Sequence, residues 1–309
     1  MSEPLTDCVR RFTASQLEVR GQWVHLSSAW LALREHSDYP IVVRDLLGES
    51  VAAAVLLAST LKFDGTLTLQ MQGDGAVRLL VAQCSHDFRV RAVARFDAAR
   101  VASAANDFAA LKGSAQITVT LEAQRSDARY QGIVPADGAS LSQCLELYFA
   151  NSEQLPTAVR LASNAGAVAG LLVQRMPAQG GTTDAAAVVS RELQADSAFA
   201  AARAAVAAVD ADELLVRDAQ ALVPRCLPDQ DIRLLPAATV SFECRCSPER
   251  VSSMLRSLGE SEVRDVLAEQ GSVTVTCEFC HRPYRFDAVD VSRIFVPAEA
   301  DAQGSESLN

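Results

Sequence analysis

Four of the eight cysteines fall into two pairs: Cys244 with Cys246 in a CxC, and Cys277 with Cys280 in a CxxC, with 30 residues between the inner two (277 − 246 − 1). Thiolates in such pairs are ligands for a soft or borderline cation. Four of them about 2.3 Å from Zn2+ would complete a closed tetrahedral site of the structural kind. The stretch SFECRC, 241–246, reads as a strand, which would turn both thiols of the first pair to one face; a CxxC turn does the same for the second. His281 follows the CxxC directly and is expected to be a surface residue rather than a ligand.

The segment that must position these sulfurs is short. From about 236 to 295 it carries few large apolar side chains, and a unit of that size often needs a metal or crosslink to be stable, so zinc would supply folding free energy. Its elements are expected to be a helix opening at Ser247 with Pro248 in the first turn and stopping at Gly259, a short helix over 262–270, strands over 272–277 and 284–287, and a last helix over 289–295. The remaining cysteines, Cys8, Cys84, Cys144 and Cys226, belong to no paired motif and are expected to act as small buried hydrophobes, Cys226 being the one exposed to aberrant pairing under strong oxidation.

Upstream the periodicities change. Alternation predicts strands over 16–24, 66–72, 77–84, 88–96, 116–123 and 168–174. GDGA after Gln72 predicts a hairpin turn; it lacks the lysine and following helix of a phosphate loop. Helices are expected over 29–36, from Pro40 to about 61 with VAAAVLLA buried on most sides, and over 140–150. Gly180 and Gly181 then break the chain, and 13 alanines follow in the 28 residues 184–211. Alanine favours helix but buries little surface, which predicts a helical linker of low stability. A further helix is expected from Asp210, with Glu213 at capping-box spacing, to a point before Pro228. The expected fold class is α+β, with an N-terminal mixed sheet-and-helix domain over 1–177, a metastable helical linker over 178–235, a small C-terminal zinc-binding domain over 236–296 and a polar tail over 297–309.

Composition narrows the partners. The 309 residues are 49% hydrophobic and 21% charged with a formal net charge of −10, so the chain can bury a sizeable core and has no basic run to meet a phosphate backbone. Residues 236–309 hold 7 Arg, no Lys and 12 acidic residues, a net of −5, which argues against nucleic acid beside the zinc. The opening MSEPLTDCVRRF has no signal-peptide pattern, and the most apolar run, 51–58, is far short of a membrane span. A soluble cytoplasmic protein is expected. The CxxC does not open a helix in a βαβ unit, as a thiol–disulfide exchange enzyme would want, so no enzymatic activity is expected.

CRCSPERV at 244–251 together with CEFCHRPYRFDAVD at 277–290 resembles the redox-switch domain of the 33-kDa heat-shock chaperone family, the 33 kDa chaperonins. The resemblance runs through the rest of the chain in VRG (19–21), YP (39–40), LLGE (46–49), LKFDG (61–65), QMQGDG (70–75), YFANSEQLPT (148–157) and GLLVQRMP (170–177). It implies a redox-regulated, ATP-independent holdase: a reduced, inactive monomer with one Zn2+ on Cys244, Cys246, Cys277 and Cys280. Oxidation under stress would join Cys244 to Cys246 and Cys277 to Cys280, expel zinc and unfold the C-terminal unit and linker. The active form, commonly a homodimer, would bind unfolding client proteins and later pass them on for refolding.

The residues are consistent with that implication. Zinc-bound sulfurs are thiolates, the form oxidants attack, and oxidising one pair removes two of four anionic ligands. Linker stripes through Val188, Leu193 and Phe199 and through Leu214, Leu215 and Leu222 would present apolar surface on undocking. The competing reading is a constitutive zinc-stabilised interaction module with no redox control.

Overall fold

The computed structural model describes residues 5–14, 18–35, 37–104, 107–124, 128–176, 185–228 and 230–296, without the side chains of 185–192. The tail over 297–309, the Gly180–Gly181 break and the Val188 side chain lie outside the described residues. By contacts the chain divides into two compact units, Met1–Glu243 and Cys244–Asn309.

The first unit runs β1 (Cys8–Ala14), β2 (Val19–Leu26), α1 (Ser28–Arg34), α2 (Ile41–Thr60), β3 (Gly65–Gln72), β4 (Val77–Ser85) and β5 (Arg89–Phe96). There follow α3 (Ala98–Ala104), α4 (Phe108–Lys112), β6 (Gln116–Ala123), β7 (Arg129–Pro135), α5 (Leu141–Tyr148), a π-helical turn over Phe149–Glu153, β8 (Thr157–Ser163) and β9 (Val168–Arg175). The unit ends in α6 (Ala185–Ala207), α7 (Ala211–Val216), α8 (Ala219–Cys226) and three short strands, β10 (Ile232–Leu234), β11 (Ala238–Thr239) and β12 (Ser241–Phe242). One sheet has the order β10-β1-β2-β9-β8, with β11 also on β1; the other has the order β12-β5-β4-β3-β6-β7. Among the described residues all ladders are antiparallel except β12 on β5. The fold class is α+β.

Helix α2 explains the packing. It is apolar on nearly every side, with buried residues from Val43 through Ser59, and it packs against strands of both sheets. Small residues let the backbones approach: a β-carbon on Gly48 would overlap Ser163 and Val168. Burying Leu47, Val51, Leu56 and their neighbours against Leu67, Leu69, Leu80 and Leu172 builds the main core, at about 25 cal/mol per Å² of apolar surface removed from water. GDG does form the loop of the β3–β4 hairpin, and a strand follows it, not a helix.

The alanine-rich segment is less bare than its composition predicts. Its large side chains are spaced onto one side, so Phe199, Val206, Leu214, Leu215, Leu222 and Val223 are buried against Phe12, Trp23, Leu171 and Val173 on the open face of the first sheet. Leu193, by contrast, is 65% exposed. Polar bonds help: Arg160 donates to the Val209 carbonyl at 2.8 Å, and His25 Nε2 lies 3.1 Å from the Leu215 carbonyl. The helix expected from Asp210 is two helices, because Arg217 leaves helical geometry and Asp218 starts a new cap on Ala221 N.

The second unit comprises α9 (Pro248–Leu258), α10 (Glu260–Gln270), β13 (Val273–Thr276), β14 (Pro283–Phe286) and α11 (Ala288–Phe295). Its ends are written locally. Ser247 accepts from Arg250 N ahead of α9, Gly259 at φ +100° stops it, and Asp287 with Asp290 forms a capping box on α11. Among the described residues its core has eight buried hydrophobic side chains: Val251, Leu255, Val263, Val273, Tyr284, Phe286, Val291 and Ile294.

One expectation is corrected here. Only Ser241 and Phe242 of SFECRC are strand, and they lie parallel beside Arg89 and Val90 of the first unit; residues 243–247 follow no regular element. Phe242 packs on the main core, so burial draws those two residues to β5 and the contact boundary falls at 243/244, beyond the boundary expected at 235/236.

Candidate metal centre

Cys244 and Cys246 reach the site from an irregular segment just before the Ser247 cap, so the cap of α9 sets their position. Cys277 and Cys280 sit in the loop between β13 and β14. That loop is closed by Cys277 N donating to the Arg282 carbonyl at 3.0 Å and by His281 N donating to the Cys277 carbonyl at 2.8 Å. His281 takes φ +51°, the left-handed turn that reverses the chain into β14.

These two segments bring all four sulfurs within 4.8 Å of one another. The nearest approaches run across the pairs, Cys244 Sγ to Cys277 Sγ at 3.6 Å and Cys246 Sγ to Cys280 Sγ at 3.4 Å. Sulfurs about 2.3 Å from a tetrahedral cation stand about 3.8 Å apart, so the donor set and its spacing fit one metal ion of that kind. All four cysteines are half-buried. Two partly enter the small core, since Cys246 and Cys277 pack against it.

The sulfurs are not equivalent. Burial pushes the Cys246 thiol up, but hydrogen bonds from the Tyr284 hydroxyl and from Cys280, Cys244 and Cys277 outweigh it and bring it down to about 7. Burial raises Cys244 and Cys280. Tyr284 donates to Cys246 Sγ at 3.0 Å, and that bond raises its own hydroxyl to about 12. The residue types and spacing alone do not mark Tyr284, although its place on an alternating strand four residues after Cys280 was the available signal.

His281 is not among the four clustered donors. It is half-buried instead of lying on the surface, with Nε2 enclosed and without a hydrogen-bond partner. The unpaired cysteines are dispersed. Cys84, Cys144 and Cys226 are buried and Cys8 is half-buried; burial raises the thiols of Cys84 and Cys144, and that of Cys226 to about 11. Among the described residues, no helix is long and apolar enough to cross a membrane.

Comparison with known proteins agrees along the length of the chain. A family model described as Hsp33 protein matches residues 7–287. The 33 kDa chaperonin of Methylobacillus flagellatus is 37% identical over 94% of this chain and 95% of its own. That of Chromobacterium violaceum is 39% identical over 94% of each, and that of Pseudomonas aeruginosa 38% over 97% of each. The crystal structure of the 33 kDa chaperonin from Thermotoga maritima superposes with a TM-score of 0.78 at 19% identity, over 93% of this chain and 97% of that one, which shows a shared fold. With a family match across nearly the whole sequence and relatives this similar at full length, the chain belongs to the Hsp33 family of 33 kDa chaperonins.

Proposed function

We propose that the protein is a redox-regulated, ATP-independent holdase whose activity is controlled by the four-cysteine site. Family membership supports a chaperone role. The observation that carries the regulatory part is the meeting of Cys244, Cys246, Cys277 and Cys280 within 4.8 Å on a unit with, among the described residues, eight buried hydrophobic side chains. In the reduced state those thiolates hold one Zn2+, which supplies the unit with a closed structural site and its folding free energy.

Under peroxide, Cys244 with Cys246 and Cys277 with Cys280 form disulfides. Each pair of thiolates gives up two electrons to one peroxide, which takes two protons from the solvent and is reduced to two waters. The donor set is then gone and the site loses its hold on zinc. With the ion's contribution removed, the second unit unfolds by mass action. The apolar residues of α6–α8, now stowed on the first sheet, become available to unfolding clients, and the oxidised protein associates as a homodimer; the reduced one is a monomer. The linker's low stability rests on its alanine content and the few large side chains that hold it down. We place this chemistry in the cytoplasm, where thiols are kept reduced until stress, and assign the protein no enzymatic activity.

The test is suppression of aggregation of a thermally unfolding client by reduced and by peroxide-treated protein, with zinc release followed in parallel. Protection by the oxidised form alone, rising with zinc release, is expected. Equal protection by both forms would favour a constitutive zinc-stabilised interaction module, and protection by neither would remove the chaperone reading.

A further inference from the structure

Tyr284 lies outside the four sulfurs yet touches one of them. Its side chain is 9% exposed in the small core, with Val251, Leu255, Phe286 and Val291 in the same cluster, and its hydroxyl donates to Cys246 Sγ at 3.0 Å. The β13–β14 ladder fixes it there, because Tyr284 stands opposite Val275, two residues before Cys277. Among the described residues it is the one side-chain hydroxyl bonded to any of the four sulfurs.

Such a bond has three physical consequences. It orients a ligand sulfur and spreads its charge, and losing an outer partner of this kind typically costs 10–100-fold in metal affinity. It draws electron density from the lone pair an oxidant would attack, damping nucleophilicity. Finally, a sulfur in a disulfide is a far poorer acceptor than a thiolate, so oxidation leaves a hydroxyl without a partner inside a packed core. We propose that Tyr284 is a positioning residue of the four-sulfur site: its bond to Cys246 holds that sulfur as a ligand and carries the sulfur's oxidation state into the core of the second unit. This rests on the reading that the four cysteines hold zinc.

Two full-length variants test it. Tyr284→Phe keeps the ring and removes the bond; on reduced protein, competition with a chromophoric chelator should show zinc affinity lower by about 10-fold. Zinc release at fixed peroxide should be faster, and the sulfur-to-metal charge-transfer band of the cobalt-loaded protein should shift. Placing 3-fluorotyrosine at 284, a stronger donor of nearly the same shape, should tighten zinc binding, a reversal of sign that a packing role would not produce. Should the Phe variant fail to fold, the fluorotyrosine chain decides alone: tighter binding supports the proposal and unchanged or weaker binding overturns it. Equal affinity and release rate in wild type and Tyr284→Phe would also overturn it while leaving the zinc reading intact. A reduced wild-type protein that binds no zinc overturns the zinc reading and this inference with it.

Discussion

The two units are stabilised by different means. The first surrounds the apolar helix α2 with strands of two sheets and closes a second cluster beneath α6–α8. Among the described residues the second has eight buried hydrophobic side chains, one of them bonded to a sulfur, and two of its four clustered cysteines serve as packing as well. A core that large tolerates the loss of any one interaction, whereas a core that small depends on whatever joins its segments. Oxidation of the clustered cysteines would therefore weigh most on the second unit, where one chemical event would remove a large share of the total.

Metal removal should separate the units most sharply. Chelation of zinc from the reduced protein, or Cys280→Ser, is expected to abolish folding of the second unit, a loss on the order of 10 kcal/mol. Hydrogen exchange would then show unprotected amides in β13 and β14 beside intact protection in β3–β6; persistent protection of β13 and β14 without metal would break the comparison. Next in size, Leu56→Ala, a fully buried position on α2, should cost about 2–5 kcal/mol in denaturant unfolding of the first unit. Zinc stoichiometry should not change.

A pH effect on the order of 2 kcal/mol is expected at Glu49, half-buried on α2, where burial raises the carboxyl from 4.5 to about 7 against the opposing pull of Arg160 and with a further push from Asp45. The folded value lies above the unfolded one, so the stabilising contribution of the protonated form is complete below pH 4.5. It is lost as pH rises to about 7 and levels off beyond. Unfolding of the first unit followed against pH should show that decline in wild type and not in Glu49→Gln; matching curves would remove Glu49 as its source. Smallest, Asp287→Ala deletes the capping box of α11 and should lower the stability of the zinc-loaded second unit by about 1 kcal/mol, read as an earlier thermal transition for that unit alone.

Much of this was legible in the residues because the signals are local. The cysteine spacing, the apolar run of α2, the GDG hairpin and the Ser247 and Asp287 caps each act within a few positions of themselves. What escaped depends on partners distant in sequence. Strands β1, β7 and β8 carry arginines, glycine or proline amid their apolar residues, and only their ladders to β2, β6 and β9 make them strands. SFECRC alternates like a strand throughout, yet pairing with Arg89 and Val90 claims just its first two residues. The site followed the same division: spacing named the four cysteines that cluster, and the hydroxyl beneath Cys246 needed the β13–β14 register to come into view.

The short parallel strand β12 has a kinetic consequence. Ser241 and Phe242 are held on β5, and Glu243 pairs with Arg89, immediately before Cys244. A released segment would thus stay leashed at Cys244, and the 30 residues between the inner cysteines keep the two sulfur pairs at an effective concentration in the millimolar range. Once one sulfur pair has picked up an ion after reduction, closure of the other pair on it should accordingly proceed at a rate independent of how dilute the protein is.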